Sequence, residues 1–525
     1  MLNYWWVTRP KRKLNSVPEI LACCSAVSLD CEWQGNVYTH LAFEQALEES
    51  GLKRIGDRRD QRGGGGRTYF AWLFSLGLIF TQEATGQTKL TLAGEAIVNG
   101  EPPVRILKSQ ILKYQFPSPF SLSPASSKSR VNERFRIRPF RFLLRLLRDE
   151  RVNFYLTQEE IAKIVVTEAE RETNQCYNHI VDRIIQFRND GDAVLAPNFT
   201  EIYAPSSRRV NPEHPYSHLL DLANTIINWL EYTQLIVRNV NDQVGSIAIL
   251  PECIAEVDAI LNDRSNLIDR PQEQEYFQRK YGLDPNHQRD NRNLAETRTI
   301  TARVIDEQRV RQAFITASLR SLILGITPEL IESISEVTGV NPHLVEDTLR
   351  RYYPYGAAGA FMTEYFEMAF KGRDEATDFE RATVDLFRNA FGYEAHHVGP
   401  IGLSPDVLLL SDNEGYQAII DNKAYSRYTI SNDHHNRMVH NYISGINNYS
   451  ESQLPLAFFS YIAGGFGTNI NTQLNAITEE TEVPGSAIRV SHIIKMVEKN
   501  QETPYTHAQI RNILSANRLV LLEDL

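Results

Sequence analysis

Cysteine is scarce in this chain. Five residues in 525, an odd number, argue against a disulfide framework and for a reducing, cytoplasmic (prokaryotic) setting. Cys23, Cys24 and Cys31 lie close in sequence, but no second pair of Cys or His follows at ligand spacing. They read as buried thiols, not a zinc site. Long apolar runs are missing too, since no stretch approaches the ~20 residues of a membrane span. The opening Met1–Trp6 segment lacks the charged-then-apolar order of a secretory signal. Positive charge is in deficit: the net charge is −10, which counts weakly against nucleic-acid binding. No repeat of fixed period is present. What is there is the make-up of an ordinary folded protein, 42% hydrophobic and 23% charged, long enough for roughly three or four domains.

The cations that exist are clustered, and phosphate contacts need clusters rather than a basic whole. One group surrounds the loop Gly63–Gly66: Lys53, Arg54, Arg58, Arg59, Arg62 and Arg67. A second runs from Lys128 to Arg148 and holds Arg130, Arg134, Arg136, Arg138, Arg141 and Arg145, opposed only by Glu133. Candidate DNA contacts are therefore Arg54, Arg58, Arg62, Arg67, Lys113, Arg134, Arg136 and Arg138. The competing reading is two solvated faces.

Residues 1–262 read as helical units that each end in a short β-hairpin, a winged-helix-like order suited to DNA recognition. In the first, apolar positions at helical spacing (Tyr69, Trp72, Leu73, Leu76) stop at Gly77; strands over 78–80 and 89–92 follow, and then a helix from Leu92. A second unit starts at Leu156, where Thr157 and Glu160 have capping-box spacing. A third uses a helix over 219–232 and strands over 235–238 and 246–250. Residues 263–372 read as a helical connector, with helices over 309–324, 327–337 and 341–352. From 373 to 525 the pattern turns α/β. An apolar helical stripe (Phe379, Ala382, Leu386, Phe387) ends at Gly392. Strands over 407–410, 416–423, 456–462 and 487–490 alternate with helices, which predicts a mixed sheet covered on both faces.

The chemistry concentrates at Pro405-Asp406 and at Asp421-Asn422-Lys423, on two strands joined by the turn Ser411–Gly415. Residues two apart on a strand share a face, so Asp421 and Lys423 point one way and Asn422 the other. Asp406 can reach the same point from the neighbouring strand. Two carboxylates and the backbone carbonyl of Asn422 suit a hard cation such as Mg²⁺, with Mn²⁺ as a substitute. Such an ion, with Lys423 beside it, can cut a phosphodiester. Glu380, on the preceding helix, can add a carboxylate. Asp412 and Glu414 read as turn residues.

These residues carry a family resemblance. The last part of the chain resembles the FokI-type cleavage domain of the PD-(D/E)xK nucleases. The resemblance rests on Phe379-Glu380, Phe391-Gly392-Tyr393, His397-Val398-Gly399, Pro405-Asp406, Ile420–Ser426, Phe458-Phe459-Ser460 and Gln473–Thr478. It implies Asp406, Asp421 and Lys423 as the catalytic triad and Glu380 as an accessory. The N-terminal part is similar to the recognition regions of the AlwI and MlyI group of type IIS enzymes and of related nickases, through Leu76–Ile79, Leu90–Glu95, Leu107–Pro117 and Tyr232–Ile236. The implied protein is a type IIS restriction endonuclease. It would bind a short asymmetric site in double-stranded DNA and cut outside it, with transient homodimerisation through the nuclease domain and a cognate DNA methyltransferase in the same system. The rivals are a strand-specific nicking enzyme, one subunit of a heterodimer, and a winged-helix regulator with an inactive nuclease domain. The segment after Ser426 departs from the FokI pattern and is rich in His and Asn. His434, His435 and His440 read as surface helix residues, not zinc ligands.

Overall fold

The computed structural model describes residues 1–525 except 56–60, 123–129, 206–212, 239–244, 295–300, 355, 371–375 and 426. Two compact units emerge: Met1–Thr316 with Ile326–Pro354, and Ala317–Gly325 with Tyr355–Leu525.

In the first unit, the helix Gly64–Ser75 buries Tyr69, Phe70, Trp72 and Leu73. Gly77 follows it at φ +71°, and a Cβ there would come within 2.5 Å of the Tyr281 ring. Only glycine meets both demands at low cost. Strands β1 (Ile79–Thr81) and β2 (Thr88–Leu90) then pair antiparallel, Ile79 opposite Leu90. The Thr91 side chain accepts the Gly94 N–H and starts the helix Leu92–Val98. Helix, hairpin and helix thus follow in the expected order.

The second and third expected units are not separate. The capping box of Thr157 and Glu160 is formed, but β3 (Leu156–Thr157) is too short to stand alone. It pairs with β5 (Ser246–Ile249), which also pairs with β4 (Ile236–Arg238), in one three-stranded sheet. A single apolar core runs from Leu2 to Tyr281, so residues 1–262 do not divide into two or three subdomains. The expected boundary at 262 is crossed as well. The buried Gln278 amide donates to the carbonyls of Phe74 (2.7 Å) and Ile79 (3.1 Å), and the Ala93 N–H donates to Gly282. Three helices, Ala302–Arg320, Pro328–Thr338 and Pro342–Tyr352, complete the connector region. The Tyr353 hydroxyl donates to the Val98 carbonyl at 2.7 Å.

The second unit is built on a five-stranded mixed sheet of order β10-β9-β8-β7-β6. Its strands are β6 (Glu394–His397), β7 (Val407–Ser411), β8 (Tyr416–Asn422), β9 (Leu456–Ala463) and β10 (Gly485–Arg489). The pairs β6–β7 and β7–β8 are antiparallel; β8–β9 and β9–β10 are parallel. Alternate residues feed two cores. Val407, Leu409, Ala418 and Ile420 face one, with the helices Ala358–Met368, Ala376–Asn389 and Val490–Glu502. Leu408, Ile419, Phe459 and Tyr461 face the other, with Met438, Tyr442 and the helix Ile470–Thr481. Every residue of β8 is buried, as a central strand covered on both faces requires.

Replacing Gly77 by alanine should lower the melting temperature of the first unit, with a loss above ~1 kcal/mol. The change combines a left-handed backbone with a Cβ–ring overlap. An unchanged thermal transition would show that the Tyr281 ring yields freely.

Candidate active site

Register brings the acidic residues together. Val407 lies opposite Ile420 and Leu408 opposite Ile419. One step further in the same register sets Asp406 opposite Asp421, and residues opposite each other in an antiparallel pair project to one face. The Asn422 N–H donates to Asp406 Oδ2 at 2.6 Å. Lys423 Nζ meets Asp421 Oδ2 at 2.6 Å. Asp421 is 2% exposed, and its Oδ1 has no partner among the described residues. The structure thus places Asp406, Asp421 and Lys423 in one group.

Glu380 joins them from the helix Ala376–Asn389. Its Oε2 lies 2.7 Å from His397 Nε2. A Cβ built on Gly399 would lie 3.4 Å from Glu380 Oε2, 3.4 Å from His397 Nε2 and 3.6 Å from Asp406 Oδ1. Three polar groups therefore converge on the space that the missing side chain leaves. The Val398 N–H donates to the Asp406 carbonyl at 3.0 Å, which holds this loop to the start of β7.

Asn422 faces the opposite side. Its Nδ2 donates to Thr383 Oγ1 at 2.6 Å. Thr383 in turn donates to the Phe379 carbonyl and meets the Tyr365 hydroxyl, both at 2.9 Å. The helix that carries Glu380 is thereby tied to the strand that carries Asp421.

The charge balance is strained. Burial, and next the charge of Asp421, push the Asp406 carboxyl well above the usual range; Glu380 adds to this, against Lys423 and the Asn422 N–H. Burial works against the Lys423 ammonium, but Asp421 and Asp406 outweigh it and hold its pKa above the ordinary lysine value. Tyr442 is pushed up to about 12 by burial, with Asp421 as the next cause. The Tyr428 hydroxyl meets His434 Nδ1 at 2.8 Å. His434 and His435 are half-buried, unlike the surface residues expected, and only His440 is exposed. His434 packs on Tyr428, and His435 pairs with Glu480 at 3.1 Å.

His397, Thr383 and Tyr442 were not singled out for a role from the sequence. The polar strand Glu394–His397 has one buried residue, Ala395, so it carries no alternation signal. Asp412 and Glu414 lie in the turn, as expected.

The candidate DNA contacts fare differently from one another. Arg134 pairs with Glu170 and donates to the carbonyls of Asn3 and Thr167, each at 2.7 Å. Arg138 is buried and grips Glu172 with two hydrogen bonds, 2.8 and 2.6 Å long. Lys113 donates to the Leu283 carbonyl at 2.7 Å. These three cations are spent inside the fold. Arg54, Arg62 and Arg136 are exposed, and Arg67 is half-buried. Arg58 lies outside the described residues.

Family models match both parts of the chain. The AlwI restriction endonuclease model covers residues 74–321, and the FokI cleavage-domain model covers residues 339–521. No curated protein sequence matches. Among solved structures, restriction endonuclease FokI is 13% identical, with a TM-score of 0.29 over 98% of this chain and 99% of that one. FokI bound to DNA is 14% identical, with a TM-score of 0.28 over 98% of this chain and 92% of that one. Such scores add nothing to the two family matches. Those matches make the chain a restriction endonuclease, a site-specific DNA nuclease. It is of type IIS, with a FokI-type cleavage domain joined to an AlwI-type region.

A FokI-type nuclease domain implies a divalent metal, and the residues present fit one. The donors are oxygens, the surplus charge is negative, and Asp421 Oδ1 is an orphaned buried acceptor. Among the described residues no three His, Cys, Asp or Glu side chains form a cluster for a metal. Two carboxylates with a peptide carbonyl fall below that count, and water completes the coordination of many hard ions. No helix among the described residues is long and apolar enough to cross a membrane.

Two outcomes are expected. Thr383→Val should orphan the Asn422 amide and the Tyr365 hydroxyl, each costing ~1–3 kcal/mol, readable by denaturation of the second unit. Lys113 is lowered to about 8 by burial, against the charge of Asp284. Its folded pKa lies below the unfolded 10.5, so its stabilising contribution is full above 10.5 and lost as pH falls through about 8. The stability of wild type relative to Lys113→Met should therefore rise by about 3 kcal/mol across that window, at 1.36 kcal/mol per pH unit. A pH-independent difference would mean that the ammonium is solvated.

Proposed function

We propose that the chain binds a short asymmetric site in duplex DNA through its first unit and hydrolyses phosphodiesters outside that site through its second, with Mg²⁺ as the natural ion and Mn²⁺ as a substitute. The observation that carries the catalytic part is the opposition of Asp406 and Asp421 with Lys423 paired to the latter. Asp406, Asp421 and the Asn422 carbonyl would hold the ion. When bound, it supplies Lewis-acid polarisation of the phosphate and an acidified water.

The chain's own groups do the rest. Lys423, paired with Asp421 at 2.6 Å, is placed to steady negative charge at phosphorus. Glu380 and His397 share a hydrogen bond beside Gly399 and flank the place where a scissile phosphate fits. One P–O bond breaks and the elements of water are added, with no redox change. In the first unit, the helix Gly64–Ser75 and the β1–β2 hairpin have the order of a recognition helix and its wing.

One centre cuts one strand. A double-strand break then needs a second copy, and we infer transient pairing of nuclease domains. A cognate methyltransferase would protect the host site. Asp421→Ala should bind DNA as wild type does while cleavage falls by roughly 100-fold or more, about 3 kcal/mol of barrier. Sequencing the ends from a Mg²⁺ digest of a mixed library should give one short site and a fixed offset. Cuts scattered without a site would overturn the recognition reading. Linear plasmid forming faster than in proportion to enzyme supports pairing, and arrest at the open circle makes the enzyme a nickase.

A further inference from the structure

Almost every arginine of the basic stretch is already paired. Arg130 meets Glu133 at 2.6 Å and Arg148 meets Asp258 at 2.7 Å. Arg134 and Arg138 hold Glu170 and Glu172, and Arg141 reaches Asp263. Arg145 donates to Asn174 Oδ1 at 2.8 Å and lies over the Tyr177 ring. Arg136 is the exception: its guanidinium is exposed and has no partner among the described residues. A parallel backbone bridge sets it beside Arg171, which is likewise exposed and unpartnered among those residues. Holding two like charges side by side costs energy unless an anion lies between them.

The same two arginines line a cleft of about 910 Å³, together with Arg130, Glu133, Gln272 and Gln274. Three cations face one carboxylate there, in a chain whose net charge is −10. Phe74 and three prolines supply apolar wall. Gln272 is exposed and Gln274 half-buried, and neither amide has a partner among the described residues. All these residues fall within the AlwI-type match.

We propose that this cleft is where the first unit reads its DNA site. Arg136 and Arg171 would take a phosphate or the O6/N7 edge of guanine, and Gln272 and Gln274 the N6/N7 edge of adenine. Around the cleft, Arg136 and Arg171 offer donors, and Gln272 and Gln274 both donors and acceptors, with no partners among the described residues, the group types that read base edges. The inference rests on the chain's being a DNA endonuclease and adds the residues that set its sequence preference.

The test uses the full chain. Digest-and-sequence profiles are compared for wild type, Gln272→Ala/Gln274→Ala and Arg136→Ala/Arg171→Ala, with thermal transitions confirming folding. Binding is measured in the Asp421→Ala background against salt. The glutamine pair should relax the preference at one or two positions of the site while keeping affinity for unrelated DNA. The arginine pair should weaken binding roughly tenfold or more and reduce the salt slope by about 1 for each phosphate no longer neutralised. Folded variants with the wild-type profile and affinity would overturn the proposal. So would an unchanged profile in the folded glutamine pair, whatever the arginine pair does to affinity, since that describes a backbone clamp and not a reader. If wild type itself cuts without a site, the reading of the whole chain fails first, and the two failures are told apart.

Discussion

A single hydrogen bond organises the second unit's chemistry: the Asn422 N–H donates to Asp406 Oδ2 across the ends of two strands. It uses the last peptide donor of β8 to pin a carboxylate that would otherwise be free to turn away. With Asp406 pinned, the opposing register leaves Asp421 no choice of face. Lys423, two residues further on, then closes over Asp421. The two buried acids repel each other, and the fold bears that cost because the apolar faces of β7 and β8 are sealed on both sides. The strain is local, and it is what gives a cation something to relieve.

The first unit solves a different electrostatic problem. A run of arginines in an acidic protein looks like a footprint for nucleic acid, yet Arg134 and Arg138 are struts within the fold and Arg148 is held in a surface ion pair. They join the stretch to Glu170, Glu172 and Asp258, which lie far along the chain. Bidentate guanidinium–carboxylate geometry fixes the Arg138–Glu172 and Arg148–Asp258 pairs. The few cations left unpaired are then the informative ones, because their field is not cancelled at contact distance.

The grouping of Asp406, Asp421 and Lys423 was legible in the sequence because these residues sit at the ends of strongly apolar strands. Val407–Leu410 and Ala418–Ile420 could hardly be anything else, and strand parity placed Asp421 and Lys423 together. The helix stripe through Phe379 and Leu386 was equally plain. What escaped depends on contacts that no local pattern records. The strand Glu394–His397 is polar because it forms the sheet's edge, so His397 arrived without a role. Leu156–Thr157 is a strand only because β5 offers it an edge. The half-burial of His434 follows from the Tyr428 ring that it packs on. Net charge misled in a similar way: charge counted along the chain does not reveal which ions have already met their partners.

Gly399 matters through what it leaves out. A methyl there would meet Glu380, His397 and Asp406 at ordinary packing distances, so the folded chain could accommodate it. It would nonetheless occupy the volume on which those groups converge. At the proposed site, then, open space and ionisable groups are separate features of the fold, and a residue change at Gly399 would alter the first without touching the second.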